Sequence, residues 1–556
     1  MQPMNRSDND VASKDRRNSI YIFGTAFAIY VLLRSRFYIG DGVRYLPVAL
    51  GATMPKGGGN SHFLWPCVLW LVCRASAALG ILPIREGLDA REGLIALLQG
   101  INSFAGALGL VLLYRWIRGV ATRRAALIAV ALTGLSHAFL LHATDMTEPM
   151  MAVAPMMAGL CLLGWAPDRT WARLGAGALI GFGGDFYQIA LIAVAPATWL
   201  AARSHGSVTL AERFRRLVRA GIEIGGGSVA VYAGVIAGVR FALSPGAHLT
   251  EELASVRTVN TAGGLAGSIV PKHFAAWIFG FANALAPIRA TEGISRLFQE
   301  PARDVFISLA ILVLALAFLA GLVLRLVRSR QILGQLGRWP DIQAALGWFA
   351  LVVFMVCAWS VLYEKFWVFA LLPLSMVVAL AIDPHGDEPA AVGDPGGPRR
   401  LMFLVPAAVL VVVNMATGAI PRRYALNPDV RGLALLADRL RTDDLLVCPG
   451  WDVLSVYVRT LLELPVDVFD VTDEAIAGHE LASGLRAKVA ATIARGGRVY
   501  FLALVDLSHD EWDLFYGSRL HVPFELLDPY RTGSLAIEQL PGVLPESLYE
   551  FKEGGP

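Results

Sequence analysis

Charged residues are scarce in this chain. Asp, Glu, Lys and Arg make up 17% of its 556 residues, and 55% of the residues are hydrophobic. Soluble globular proteins are about a quarter charged, so this composition excludes an ordinary soluble protein. The mean hydropathy of +0.55 agrees with that exclusion. Together these values predict an integral membrane protein embedded in a lipid bilayer.

Cysteine is also scarce, and the few cysteines form no pattern. The chain has 5 cysteines, and none of them belongs to a CxxC pair or to a Cys/His spacing. The sequence therefore indicates neither a disulfide framework nor a cysteine-based metal site. Most of them lie in apolar segments, where we interpret them as small buried hydrophobic residues.

The basic residues form short clusters between apolar segments rather than one extended patch, and the net charge is only +3. Clusters of Lys and Arg beside apolar segments are typical of cytoplasmic loops. A nucleic-acid-binding protein instead presents its basic residues along one face. We therefore predict no nucleic-acid partner.

Several apolar segments reach the length of about 20 residues that a helix needs to cross a bilayer. The first and fifth of them are somewhat short, and the others are strong candidates. The segments are 19–33, 94–114, 125–144, 149–166, 221–239, 305–324, 342–363, 366–382 and 401–420.

Three further segments are assigned by the positive-inside rule, which places Lys and Arg clusters on the cytoplasmic side. The segment 174–202 has Arg on both flanks, so we predict that it crosses outward and returns, with Asp185 at the outer turn. The segments 62–82 and 274–288 are predicted to lie at the outer interface without crossing. The result is about eleven transmembrane helices with a cytoplasmic N-terminus.

After residue 420 the pattern changes to short strands that alternate with helices. Predicted strands at 445–447, 466–471 and 499–505 are typical of a small α/β domain. The predicted organisation is a cytoplasmic tail at 1–18, a transmembrane region at 19–420 with outer loops at 34–93 and 244–303, and an extracytoplasmic α/β domain at 421–556. Because Arg is preferred over Lys and because Ala and Gly are frequent, we predict a bacterial protein of the inner membrane. The outer side is then the periplasm, so the extracytoplasmic C-terminal domain is predicted to lie there.

Ionisable residues gather at the predicted outer ends of the apolar segments. Carboxylates at a membrane boundary are costly unless they are paired or hydrated, so they are candidates for function. One acid at a helix end is usually a solvated cap, but several on one face of the bilayer favour a shared site. The acids are Asp41, Asp145, Glu148 and Asp185, and the other candidates are Arg44, His62 and Lys365.

Taken in their order along the chain, these motifs resemble those of the membrane glycosyltransferases of the C fold. That superfamily holds protein mannosyltransferases, lipid A aminoarabinose transferases and oligosaccharyltransferase catalytic subunits. The motifs are Gly40-Asp41, the helix with His and Pro at 62–82, the Ala-Thr-Asp-Met-Thr-Glu turn at 143–148, the Glu-Lys-Phe-Trp turn at 364–367 followed by Leu372-Pro373, and the α/β tail. The chain departs from many members at Gly42, where they carry a second acid.

The resemblance implies an inverting glycosyltransferase that uses a polyprenyl-phosphate-linked sugar donor and a glycan, lipid or protein acceptor. Asp41 would be the general base for the acceptor hydroxyl. Lys365, and after it Arg44 and Lys272, would bind the donor phosphate. The implied substrate-binding residues are His62, Arg44, Asp145, Glu148, Asp185 and Lys365. Some relatives bind a divalent cation through acids of these loops, but the sequence shows no tight set of metal ligands here.

Two other functions are compatible with a polytopic chain. A transporter or lipid flippase usually has ionisable residues at the middle of the membrane, often in two repeated halves, whereas here the acids gather at one face. A non-catalytic membrane scaffold subunit would fit the glycine at position 42. That interpretation predicts no donor binding and no effect of Asp41 on activity.

Overall fold

The structure is a computed structural model of the chain. The residues that it describes are 6–36, 42–43, 45–51, 64–81, 88–203, 209–243, 271–288, 302–328, 340–359, 364–383, 396–424, 430, 433–434, 439–448, 454–476, 479–502, 504–505, 507–512, 522–540 and 546–552.

Helices make up the described chain from its start to residue 424. A 3-10 turn at Gln188–Ala193 leads into α9, and a π-helical turn at Met415–Ala419 joins α15 to α16. The helices are α1 (Arg6–Leu32), α2 (Leu46–Leu50), α3 (Leu64–Ala78), α4 (Leu88–Arg118), α5 (Arg123–Gly134), α6 (His137–Thr144), α7 (Pro149–Trp165), α8 (Thr170–Phe186), α9 (Val194–Ala202), α10 (Leu210–Leu243), α11 (Pro271–Leu285), α12 (Ala302–Arg328), α13 (Pro340–Trp359), α14 (Glu364–Ile382), α15 (Gly396–Asn414) and α16 (Ile420–Tyr424).

Within the described residues, 6 helices are long and apolar enough to cross a membrane, and the bent pair α5–α6 raises the number to 7. Because a bilayer offers no water to backbone groups, helices are the form in which such apolar segments can span it. The chain is thus a polytopic helical membrane protein. The predicted number of about eleven crossings stays a prediction, because α7 and Gln188–Ala202, which lie in predicted crossings, are shorter apolar helices.

The segment 125–144 is not the single straight helix that its hydropathy predicts. It is broken between α5 and α6, which meet at an angle of 65°. Asn414 of α15 donates a hydrogen bond of 2.9 Å from Nδ2 to the carbonyl of Leu135 at the break. Its Oδ1 lies 3.1 Å from Nδ1 of His137. The bend is tolerated because the backbone group that it exposes finds a partner in another helix.

Replacing Asn414 by Leu is expected to destabilise the protein. Each buried polar group left without a partner costs about 1–3 kcal/mol, and the substitution removes the hydrogen bonds to Leu135 and His137. The midpoint of thermal unfolding of the purified protein in detergent should fall by several degrees. Val412→Leu, two residues away on the exposed face of α15, is the control, and an equal midpoint for the two variants would contradict a role for the bend contacts.

The segment 174–202 folds back on itself, as its flanking arginines predict. α8 ends at Phe186, and after Tyr187 the 3-10 turn and α9 pack against α8 and α7. Asp185 lies in the last turn of α8 and is fully buried. The reversal therefore occurs two residues after the predicted position, and the acid faces the protein interior rather than an outer turn.

The chain beyond residue 440 contains a five-stranded sheet of order β2-β1-β3-β5-β4. β2, β1 and β3 are parallel, and β5 and β4 are antiparallel additions at one edge. The α/β class is confirmed, but the last two strands were not predicted. The strands are β1 (Leu445–Cys448), β2 (Asp467–Asp470), β3 (Val499–Leu502), β4 (Ser534–Leu540) and β5 (Glu546–Phe551).

Short helices cover this sheet. Leu445 and Val447 of β1 pack in one hydrophobic cluster, whereas Leu446 and Cys448 pack in another. This alternation means that both faces of the sheet are buried, as in most parallel sheets. The helices are α17 (Leu454–Val456), continued by a π-helical turn at Tyr457–Leu461, and α18 (Val471–Ile476), α19 (Leu481–Ala494), α20 (His509–Trp512) and α21 (Asp528–Arg531).

Candidate active site

Two of the predicted site residues share one short turn. The acidic turn (residues 145–148) joins α6 to α7, and Asp145 and Glu148 stand at its two ends. Both residues have 0% of their surface exposed. Oδ1 of Asp145 accepts a hydrogen bond of 2.8 Å from the backbone N–H of Met146. The protein thus holds two carboxyl groups inside the bundle, one turn of chain apart.

Side chains from other helices hold the backbone of the acidic turn. Asn102 of α4 donates from Nδ2 to the carbonyl of Asp145 at 2.7 Å and to the carbonyl of Thr147. Trp65 of α3 donates from Nε1 to the carbonyl of Met146 at 3.0 Å. Because buried carbonyls are costly without partners, these bonds fix the turn. The positions of the two acids therefore depend on α3 and α4 as well as on the turn itself.

Lys365, at the start of α14, lies opposite Glu148. Its Nζ is 3.6 Å from Oε1 of Glu148 and 5.6 Å from the ring centroid of Tyr187. Tyr187 is stacked on Phe366 and Phe369, with centroid distances of 6.1 and 5.6 Å. The Lys365 side chain is 20% exposed. The ammonium group is thus held at the edge of the site, where a further anion can reach it.

Arg422 in α16 is a second cation of the site, and it was missed in the sequence. It lies close enough to Glu364 and Asp145 for electrostatic attraction to both carboxyl groups. Its carbonyl accepts a hydrogen bond of 2.8 Å from the backbone N–H of Arg36. One signal pointed to it: Arg422 and Arg423 follow an apolar segment at its predicted outer end, against the positive-inside rule.

Four of the predicted residues have side chains outside the described part of the chain, namely Asp41, Arg44, His62 and Lys272. The described neighbour of Asp41 is Gly42, which lies against the acidic turn. A Cβ atom added to Gly42 would be 2.9 Å from the carbonyl oxygen of Met146. Position 42 therefore has no room for the second acid that many C-fold enzymes carry there.

Asp185 approaches the same region from α8. Two residues after it, Tyr187 forms the aromatic surface beneath Lys365. Two residues before it, Gly183 packs against the carbonyl oxygen of Ala152, which a Cβ atom on Gly183 would approach to 3.0 Å. Ala152 is in the first turn of α7, directly after the acidic turn. The structure thus brings Asp145, Glu148, Asp185 and Lys365 to one end of the bundle.

The described residues do not complete a set of metal ligands. Within the ranges given above, no group of three or more His, Cys, Asp or Glu side chains is placed to hold a metal ion. The acidic turn supplies two carboxyl groups, and the hydrogen bonds that hold it come from the protein. The divalent cation that the resemblance implies stays a prediction.

No protein-family profile and no curated protein matches this chain. Among solved structures, it is similar to the archaeal oligosaccharyltransferase AglB from Archaeoglobus fulgidus in complex with an inhibitory peptide and a dolichol-phosphate, at 12% identity and a TM-score of 0.47, over 93% of this chain and 72% of that chain. It is similar to ArnT from Cupriavidus metallidurans bound to undecaprenyl phosphate at 13% identity and a TM-score of 0.49, over 97% of this chain and 98% of that chain.

It is also similar to the arabinofuranosyltransferase AftD from Mycobacteria at 15% identity and a TM-score of 0.38, over 96% of this chain and 42% of that chain. These solved structures belong to the group of membrane glycosyltransferases that the sequence motifs resemble. Similarity at this level of identity concerns the fold, so the function of this chain has to be argued from its own residues.

Proposed function

We propose that this chain is an inverting glycosyltransferase that moves a sugar from a polyprenyl-phosphate donor to an acceptor hydroxyl at the outer face of the membrane. The observation that carries the proposal is a buried acidic turn paired with two cations, Lys365 and Arg422, at one end of an apolar helical bundle. Carboxyl groups can transfer protons, cations can bind the donor phosphate, and the apolar surface of the bundle can contact the polyprenyl tail in the bilayer.

Lys365 is the first candidate to bind the donor phosphate. Its Nζ is held by Glu148 on one side and by the Tyr187 ring below, so little side-chain entropy is lost when a phosphate oxygen binds. Hydrogen bonds between charged partners are about twice as strong as neutral ones. Arg422 adds positive charge near Asp145, and Arg44 is a further candidate from the sequence.

The chemical step requires one base and one leaving group. The Asp41 carboxylate takes the proton of the acceptor hydroxyl, and the hydroxyl oxygen forms a bond to the anomeric carbon from the face opposite the phosphate. The bond between that carbon and the phosphate oxygen breaks, and both of its electrons stay with the polyprenyl phosphate. The configuration at the anomeric carbon is inverted. Because phosphate is a good leaving group, the step needs no strong general acid.

In this proposal Asp145 and Glu148 take no part in proton transfer and instead position the two cations, Lys365 and Arg422, by electrostatic attraction. Glu148 holds the Lys365 ammonium group at 3.6 Å, and Asp145 faces Arg422. Gly42 packs against the backbone of Met146, which lies between Asp145 and Glu148 in the acidic turn. The two acids therefore support the donor-binding cations and the segment that carries Asp41, and His62 is a candidate to orient the sugar.

The aromatic and basic residues support one orientation of the chain in the membrane. Trp165, Trp171 and Trp199 are exposed and lie at the ends of α7, α8 and α9 that are opposite the acidic turn and Asp185. Arg169 and Arg203 lie beside them. Exposed Trp next to Arg is typical of a cytoplasmic membrane interface. This supports an active site on the outer side, which for a bacterial inner membrane is the periplasm.

Replacing Gly42 by Ala is expected to lower the rate of sugar transfer about 10- to 100-fold, because a shift of about 1 Å at a reacting group has effects of that size. The added methyl group would meet the backbone carbonyl of Met146 at 2.9 Å, so the chain at position 42, next to the proposed base, or the acidic turn must move. The measurement is transfer at matched protein levels. Gly24→Ala in α1, where a Cβ meets nothing within 4 Å, is the control, and equal rates for both variants would refute the contact.

The proposal itself is tested by offering polyprenyl-phosphate sugars, radiolabelled in the sugar, to membranes that contain the chain. Matched membranes without it are the control. Label should move from the lipid fraction into an acceptor only when the chain is present. Absence of transfer with every donor, at confirmed expression, would refute the proposal and favour a transporter or a scaffold subunit.

A further inference from the structure

Asp185 is the buried acid for which the described residues offer no partner. It has 0% of its surface exposed. Neither of its carboxyl oxygens has a hydrogen-bond partner among the described residues. Most buried polar groups in proteins are hydrogen-bonded, and a buried carboxylate without a partner is among the costliest groups a fold can hold. An ionisable residue kept at such a position in a membrane protein indicates a functional role.

The neighbours of Asp185 hold its backbone firmly. Gly184 packs so closely that an added Cβ atom would be 2.6 Å from the Leu191 side chain. Beyond Asp185, Nε2 of Gln188 donates a hydrogen bond of 3.0 Å to the hydroxyl of Tyr232 in α10. The chain around the end of α8 is thus fixed to the 3-10 turn that follows it and to α10. Asp185 is therefore held in place by contacts that do not use its own carboxyl group.

Asp185 is two residues from Tyr187, whose ring lies beside Lys365. The Cα atoms of Asp185 and Tyr187 are at most about 7 Å apart, because two residues of extended chain span no more than that. The Tyr187 ring centroid is 5.6 Å from Nζ of Lys365. The sugar is the part of the donor attached directly to the phosphate, so it is the part that would come nearest to Asp185 when the phosphate binds Lys365.

The chemistry of the partner is set by the carboxyl group. Two acceptor oxygens need O–H or N–H donors. Neighbouring hydroxyl groups of a sugar supply such donors, whereas an ionised phosphate and a polyprenyl tail have none. We propose that Asp185 accepts hydrogen bonds from hydroxyl groups of the transferred sugar and is a specificity-determining residue of the donor site. This inference rests on the proposed glycosyltransferase function.

The role of Asp185 predicts a selective defect. Asp185→Asn and Asp185→Leu should lower kcat/KM for the sugar donor about 10- to 100-fold, the range expected when a buried group loses its hydrogen-bond partner. Binding of polyprenyl phosphate without a sugar should stay within about 2-fold of wild type, since that ligand lacks the hydroxyl groups. Asp168→Asn, in the connection between α7 and α8, is the matched control.

Donors that each lack one hydroxyl provide the decisive comparison. For at least one of them, wild type should lose rate relative to the complete donor, and Asp185→Leu should show no such loss, because the partner of that hydroxyl is already absent. The inference is overturned if every such donor is slowed equally in wild type and variant. It is also overturned if the variants lose binding of polyprenyl phosphate together with transfer, since Asp185 would then be structural.

Transfer by wild type distinguishes failure of the Asp185 role from failure of the glycosyltransferase function. If wild type transfers sugar and Asp185→Asn transfers it equally well, the role of Asp185 fails and the glycosyltransferase function stands. If wild type transfers sugar from no donor, the function fails, and the role of Asp185 fails with it.

Discussion

Replacing Asp41 by Asn is expected to lower kcat for sugar transfer about 10²- to 10⁴-fold, the range that general acid–base catalysis contributes. The amide keeps the shape of the side chain but cannot accept the proton of the acceptor hydroxyl. The hydroxyl must then attack while it is still protonated, which raises the barrier. KM for the donor should change little, because phosphate binding is assigned to Lys365. Steady-state transfer with the purified protein in liposomes measures both constants.

Asp168→Asn is the matched control for this variant. The substitution is the same, but Asp168 lies between α7 and α8, at the opposite end of the bundle from the acidic turn. It should leave kcat and KM unchanged. If Asp41→Asn retained the wild-type kcat, another group would have to be the base, and Asp145 would be the next residue to test.

The second large effect is expected for Lys365→Gln. This variant should raise KM for the donor about 10- to 100-fold, because a hydrogen bond between charged groups is worth about 1.5–3 kcal/mol. kcat should fall as well, since the same cation stabilises charge on the leaving phosphate. Lys365→Arg keeps the charge and should stay closer to wild type. Titration of polyprenyl phosphate without a sugar measures the binding contribution directly.

Lys488→Gln is the control for the charge change. Lys488 also lies beside a carboxylate, with Nζ 3.4 Å from Oδ1 of Asp467, but it belongs to the C-terminal sheet region. Its loss should not affect the binding of polyprenyl phosphate. Wild-type affinity in Lys365→Gln would show that Lys365 only neutralises Glu148 and that the phosphate is bound elsewhere.

The sequence predicts the parts of this protein that depend on neighbours along the chain. Long apolar segments mark α12, α14 and α15 because a bilayer needs about 20 apolar residues. The acidic turn is visible because its two acids are only three residues apart. The reversal after α8 is predicted by the arginines that flank the segment on both sides, although Asp185 itself lies inside the bundle.

The parts that depend on distant residues were not predictable in the same way. The bend between α5 and α6 is stabilised by Asn414, which is far away in sequence. Arg422 joins Asp145 and Glu364 only when α16 packs beside them. Asp185 is buried because Gly183 and Gly184 allow close packing against other segments. None of these contacts leaves a pattern in the hydropathy of its own segment.

The sheet shows the same division. β1 and β3 are predicted because they are short apolar runs, and β2 because Val468 and Phe469 lie in a stretch rich in Val and Phe, 466–471. β4 and β5 both contain Glu, which is depleted in strands. They form strands because they pair with each other and with β3. That stabilisation comes from tertiary structure, so the sequences of β4 and β5 alone do not predict it.

The measurement that tests the central claim most directly follows the anomeric carbon through one turnover. The purified chain in liposomes is given a polyprenyl-phosphate sugar of defined configuration, isotope-labelled at the anomeric carbon, together with its acceptor. NMR of the product should show the labelled sugar on the acceptor hydroxyl with inverted configuration and the polyprenyl phosphate released. Retained configuration would contradict direct attack of the acceptor hydroxyl on the donor, and label that stays on the lipid would contradict the glycosyltransferase itself.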